Sequence, residues 1–139
     1  MKVYKKVRVL SDGNLYPLFI DKKKPFRFGE WLHCEFHPTK GFSPRCISED
    51  IKGGWHCCFR PVAPHLNDVL SSGERRVWME CEARGEMVTY DRPESQGGAW
   101  LLAEEIMPVR VISESEVQTL SRPLPHRARS SYNQIVANY

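Results

Sequence analysis

Arg76-Val77-Trp78-Met79-Glu80-Cys81-Glu82-Ala83 alternates in a way only an extended chain can use. Val77, Met79, Cys81 and Ala83 fall on one side, and Arg76, Glu80 and Glu82 on the other, which is the period of a half-buried β-strand. Two further segments echo it. Val3-Tyr4-Lys5-Lys6-Val7-Arg8-Val9-Leu10 sets Val3, Val7 and Val9 against Tyr4, Lys6 and Arg8. Ser11-Asp12-Gly13-Asn14 then supplies turn chemistry, and Leu15 to Ile20 can pair back, with Pro17 marking an edge or irregular start. Downstream, Glu86 to Tyr90 extends the central strand beyond Gly85. Ala99 to Ala103 and Met107 to Ile112 give two more strands, or one interrupted by Pro108.

Helices are expected at two places. Pro64-His65-Leu66-Asn67-Asp68-Val69-Leu70-Ser71-Ser72-Gly73 puts proline in a first turn, Leu66, Val69 and Leu70 on one face, and glycine at the stop. Ser113-Glu114-Ser115-Glu116 matches a capping box ahead of Val117 and Leu120. The pattern predicts an α+β domain, a twisted and mainly antiparallel sheet with two or three short helices. It is a single domain over residues 1–120, consistent with a 139-residue chain. Residues 121–139 change to Arg, Pro, Ser and His and read as a basic, mobile arm, with a last helical turn near Gln134 to Ala137.

Composition is that of a folded protein, with 41% hydrophobic and 27% charged residues, and a net charge of +3 too small to imply a nucleic-acid or membrane partner by itself. No apolar run has bilayer length, and the opening Met1-Lys2-Val3-Tyr4 reads as strand, not signal peptide. A cytoplasmic protein with its five cysteines reduced is the expectation.

From Pro38 to Pro64 the chain holds four prolines and three glycines and reads as a functional loop region. Within and after it, Gly53-Gly54-Trp55-His56-Cys57-Cys58-Phe59-Arg60-Pro61-Val62-Ala63-Pro64-His65-Leu66 concentrates imidazole, thiol and indole groups between residues that bend or stiffen the backbone. The sharpest reading is a non-covalent ligand pocket built from Trp55, His56, His65 and Trp100. Glycines in Gln96-Gly97-Gly98-Ala99-Trp100 let backbone approach closely, and an arginine suits phosphate or carboxylate, Arg45 first, with Arg60 and Arg92 as other candidates.

Two rival chemistries use the same region. His33, Cys34, His37, Cys46, His56, Cys57 and Cys58 exceed the four ligands of a zinc-stabilised module, but only Cys34-x-x-His37 has a suitable spacing. A cysteine nucleophile needs a base on its own face of the strand, which pairs His56 with Cys58 and not with Cys57. Neither a P-loop nor a Gly-x-Gly-x-x-Gly fingerprint is present.

The N-terminal Lys-x-Val-Arg-Val-Leu strand, the Gly54-Trp55-His56 step, Trp100-Leu-Leu-Ala103 and Val109-Arg-Val-Ile112 together resemble small domains encoded by phages and prophages, over about residues 3 to 113. That resemblance implies a compact α+β domain of no assigned activity. It is also distantly similar to the ADP-ribosyltransferase architecture. Arg8 and the Glu80-Cys81-Glu82 form match that class, and its serine motif does not occur. The resemblance implies a phage-type accessory protein, a counter-defence inhibitor that binds a nucleotide-like small molecule or a host protein, with nucleic acid as a further partner. No cofactor and no resident metal are expected. The alternative is an enzyme of transferase type or one using His56 as acid and base.

Overall fold

A computed structural model describes residues 1–18, 24–37 and 52–121, the side chains of residues 36, 37, 52 and 53 excepted. The strands are β1 (Lys2–Val9), β2 (Leu15–Tyr16), β3 (Leu32–His33), β4 (Phe36–His37), β5 (Lys52–Gly53), β6 (Trp55–Cys58), β7 (Arg75–Tyr90) and β8 (Trp100–Val111). One α-helix, α1 (Glu114–Ser121), is present among the described residues, with a 3-10 turn at Glu94–Gln96. The α+β class with two or three short helices is therefore corrected to a small, mainly-β fold. No helix among the described residues is long and apolar enough to cross a membrane.

The long antiparallel hairpin of β7 and β8 organises everything else. β1 pairs with the first half of β7, from Lys2↔Glu82 to Val9↔Arg75. β6 pairs with β8 from Trp55↔Ala103 to Cys58↔Trp100, and meets β1 at Tyr4↔Cys58. The pairings therefore run β1–β7–β8–β6 and return to β1, a closed ring of strands. β2 extends β1 and β3 extends β8, while β4 and β5 form a separate pair.

Ring closure demands strong bending, and two irregularities supply it. Arg84 faces Glu105 and Met87 faces Ala103, so Gly85 and Glu86 stand against Glu104 alone. Gly85 takes φ +83°, the left-handed conformation of a glycine bulge. On the partner strand, Glu80 faces Arg110 and Cys81 faces Pro108, leaving Val109 as the extra residue. That bulge explains how Pro108 sits, fully buried, inside one continuous strand instead of dividing two.

Alternation sorts the side chains into two apolar clusters. Val3, Val7, Trp55, Cys57, Met79, Cys81, Ala83, Leu101, Ala103 and Ile106 fill the ring interior with Leu15 and Phe26. Tyr4, Cys58, Trp78, Tyr90, Trp100 and Leu102 lie on the outer face, where Ala63, Ile112 and the partly buried Leu66 and Val117 cover them. Both faces are thus buried where the strap covers the sheet, as at Trp78 and Met79, which an alternating sequence alone would not suggest.

The cover is a strap over residues 59–70, and it replaces the helix expected at Pro64 to Gly73. Its carbonyls bond to donors on the sheet: Lys6 Nζ donates to the Leu66 oxygen at 2.8 Å, and the Arg76 N–H donates to the Asp68 oxygen at 2.8 Å. A helix this short is marginal alone, so these tertiary partners prevail over local propensity. α1 does carry its capping box. The Glu116 N–H donates to Ser113 Oγ at 3.1 Å, and the Ser113 N–H donates to Glu116 Oε1 at 3.4 Å. The arm after Ser121, including the turn expected near Gln134, lies outside the described residues.

Candidate functional site

On β6 the pleat sends Trp55 and Cys57 into the ring interior and His56 and Cys58 outward beneath the strap. The turn between β7 and β8 then brings Arg92 and Trp100 to the same outer face. Gly97 makes that approach possible. Its φ is +94°, and a Cβ there would lie 2.2 Å from the Val62 carbonyl oxygen, so only glycine lets the turn rest on the strap. The Trp100 indole N–H donates to the Gln96 oxygen at 2.8 Å, which fixes its ring.

The result is a partly open cavity of about 150 Å³, lined among the described residues by Lys5, Lys6, Leu18, His56, Cys58, His65, Leu66, Arg92 and Trp100. Three of the five residues expected to form the site, His56, His65 and Trp100, meet there. The His65 and Trp100 ring centres are 5.6 Å apart at 52°. Trp55 does not join them. It is 4% exposed on the opposite side of β6, packed on Phe26 at 5.8 Å, with its indole N–H bonded to the Leu32 oxygen. Arg45 lies outside the described residues, and Arg92, another arginine of the sequence reading, lines the cavity.

Lys5 and Lys6 were not anticipated as site residues. They belong to the basic N-terminal strand, and the sequence signal for Lys6 was its place on the same face as Tyr4, opposite Val3 and Val7. Lys6 is buried against Trp78, with Asp68 as its ion-pair partner. Lys5 Nζ donates to the His56 carbonyl oxygen at 2.8 Å and sits 5.7 Å from the Trp55 ring centre. Among the described residues, Lys5 thus links Trp55 to the site.

The electrostatics work against acid–base and thiolate chemistry at His56, Cys57 and Cys58 at neutral pH. Burial, then the charges of Lys5 and Arg92, push the His56 imidazole down to about 3, so the ring is neutral. Its Nδ1 lies 2.8 Å from the Tyr90 hydroxyl, whose own proton burial holds tightly. Burial pushes the Cys57 thiol up to about 11 and that of Cys58 up to about 12. His56 and Cys58 share a face, as alternation predicts, but neither is poised to exchange a proton. Burial also lowers His65, followed by Arg92 and Lys6.

A pH dependence follows from His56. Its folded value lies below the ordinary 6.5, so below pH 6.5 the unfolded chain gains a proton that the folded one resists. Stability is complete above that pH and falls as pH drops towards about 3. The slope is at most ~1.4 kcal/mol per pH unit. Urea unfolding at neutral and mildly acidic pH should show a steeper acid loss for wild type than for His56→Gln. Equal slopes would contradict a buried neutral imidazole.

The zinc set is divided. Cys57 points inward, His56 and Cys58 outward, Cys34 accepts a 3.1 Å bond from the Gly54 N–H, and Cys46 lies outside the described residues. Among the described residues no group of three or more His, Cys, Asp or Glu side chains gathers to hold a metal ion. The transferase carboxylates Glu80 and Glu82 are not among the residues that line the cavity. Glu80 is 7% exposed and pairs with Lys2 at 3.7 Å and Arg110 at 3.4 Å, and Arg8 pairs with Glu74 at 3.5 Å.

No family model, curated protein or solved structure matches this chain. The likeness to phage-encoded domains therefore rests on the quoted motifs alone, and the functional argument on the cavity. A larger groove of about 700 Å³ runs between the strap, the start of β7 and α1. Its charges are mixed, with Arg75, Arg76 and Lys6 facing Asp68 and Glu114. Lys6 and Leu66 line both hollows and partition them.

Proposed function

We propose that this protein is a non-catalytic binding module whose outer-face cavity receives a nucleotide-like small molecule, in the setting of a phage-type accessory protein acting against a host defence. The carrying observation is that imidazole, indole and guanidinium groups from three separate segments line one partly open hollow. Flat rings favour a planar ligand, and a guanidinium favours an oxyanion. The neutral His56, the protonated thiols and a Glu80 that is ion-paired and does not line the cavity weigh against the enzyme alternative.

His65 provides the cleanest test, because it is exposed while its ring still borders Trp100. His65→Ala should unfold at the wild-type temperature yet bind nucleoside monophosphates at least about tenfold more weakly, the ~1.4 kcal/mol of one lost ring contact. Unchanged affinity in a normally folded variant would remove the cavity as the site. Incubation with labelled nicotinamide dinucleotide separates the rival reading, since transfer or nicotinamide release requires catalysis.

A further inference from the structure

We infer that the cavity selects a ligand that combines one oxyanion, a phosphate or a carboxylate, with one flat aromatic group, and that it turns dinucleotides away. This rests on the reading of the cavity as a ligand site and specifies what the site can take.

Charge is the first argument. Lys5, Lys6 and Arg92 line the cavity, and no carboxylate does so among the described residues. Lys6 has Asp68 as its counter-ion. Among the described residues, by contrast, neither Lys5 nor Arg92 has a carboxylate at ion-pair distance, and neutral groups hold both. Lys5 is bound to a backbone oxygen. The Arg92 guanidinium lies 4.6 Å over the Trp100 ring and 5.4 Å from the Tyr90 ring, with Nη1 donating to Gln96 Oε1 at 3.0 Å. Its Nε is buried with no hydrogen-bond partner among the described residues. Ring stacking and bonds to the neutral Gln96 and Tyr90 side chains thus hold the guanidinium in place at the cavity wall, with its positive charge not offset by a carboxylate among the described residues. Both imidazoles report the same field, because Arg92 lowers each of them, with Lys5 acting on His56 and Lys6 on His65.

Size is the second argument. About 150 Å³ is the room of one aromatic ring and its substituents. A mononucleotide can place either its phosphate or its base inside and leave the ribose at the mouth. Among the described residues a dinucleotide meets no second compartment of matching character for its other half, since the adjoining groove lies behind Lys6 and Leu66 and carries Asp68 and Glu114.

Calorimetric titration with adenosine monophosphate, adenosine, benzoate and nicotinamide dinucleotide tests this. The monophosphate, benzoate or both should bind at least about tenfold more tightly than adenosine and the dinucleotide, and which of the two binds identifies phosphate or carboxylate as the anion. That affinity should fall with added salt, while any adenosine affinity should not. Lys5→Met and Arg92→Gln should each erase most of the preference for the charged probes. Adenosine or the dinucleotide binding as tightly as the monophosphate would overturn the inference and leave the cavity reading standing. Failure of all four probes would overturn both.

Discussion

Met79→Ala should cost this protein about 2–5 kcal/mol of folding stability, the range for emptying a closed core site. Met79 has no exposed surface, and its strand is paired on both sides, to Lys5 on β1 and to Val111 on β8. A ring of strands cannot collapse into the space as an open sheet can, because each strand is held by two neighbours. Chemical denaturation of wild type and variant measures the loss. A cost below about 1 kcal/mol would mean that the residue is not enclosed as the ring requires.

Gly97→Ala should have the second large effect, and on binding more than on folding. A non-glycine residue at φ +94° is strained by about 1–3 kcal/mol, and here the added carbon also meets the Val62 carbonyl oxygen at 2.2 Å. That neighbour is backbone and cannot swing aside, so the turn must lift from the strap. Trp100 and His65 would then separate, and nucleoside monophosphate affinity should be lost in a chain that still forms its sheet. By comparison, Gly13→Ala places its carbon in open space at a similar φ of +80°, so it brings the backbone strain without the collision. Equal binding by both variants, as judged by titration after circular dichroism confirms the fold, would refute the role assigned to the contact.

The sheet was legible where alternation reports burial directly. Val3 and Val7, then Met79, Cys81 and Ala83, face the interior as their spacing predicts. The opposite positions were misread because nothing local announces the strap. Tyr4 and Trp78 are buried beneath it, and Glu80, expected to face water, is 7% exposed between Lys2 and Arg110. The expected helix at Pro64 to Gly73 failed because its carbonyls are claimed from outside it, the Leu66 oxygen by Lys6, sixty residues away, and the Asp68 oxygen by the Arg76 N–H at the start of β7.

The site divides along similar lines. His56 and Cys58 share a face because a strand has period two, and the Gly97 approach is encoded by the glycine itself. Trp55 was placed among the binding residues by proximity in sequence, although the same period sends it to the other side. Lys5 reaches the cavity where β1, between Tyr4↔Cys58 and Arg8↔Tyr16, has no registered partner on that edge among the described residues. Only the three-dimensional pairing reveals such a gap.

The most direct measurement is a nuclear magnetic resonance titration of the whole protein with adenosine monophosphate, following indole and imidazole signals together. Shifts of the Trp100 indole N–H and of the His56 and His65 ring protons that saturate at one affinity, with Trp78 in the neighbouring groove unmoved, are predicted. Saturable shifts at Trp78 without Trp100, or no shift in either, would contradict a ligand site between strap and sheet.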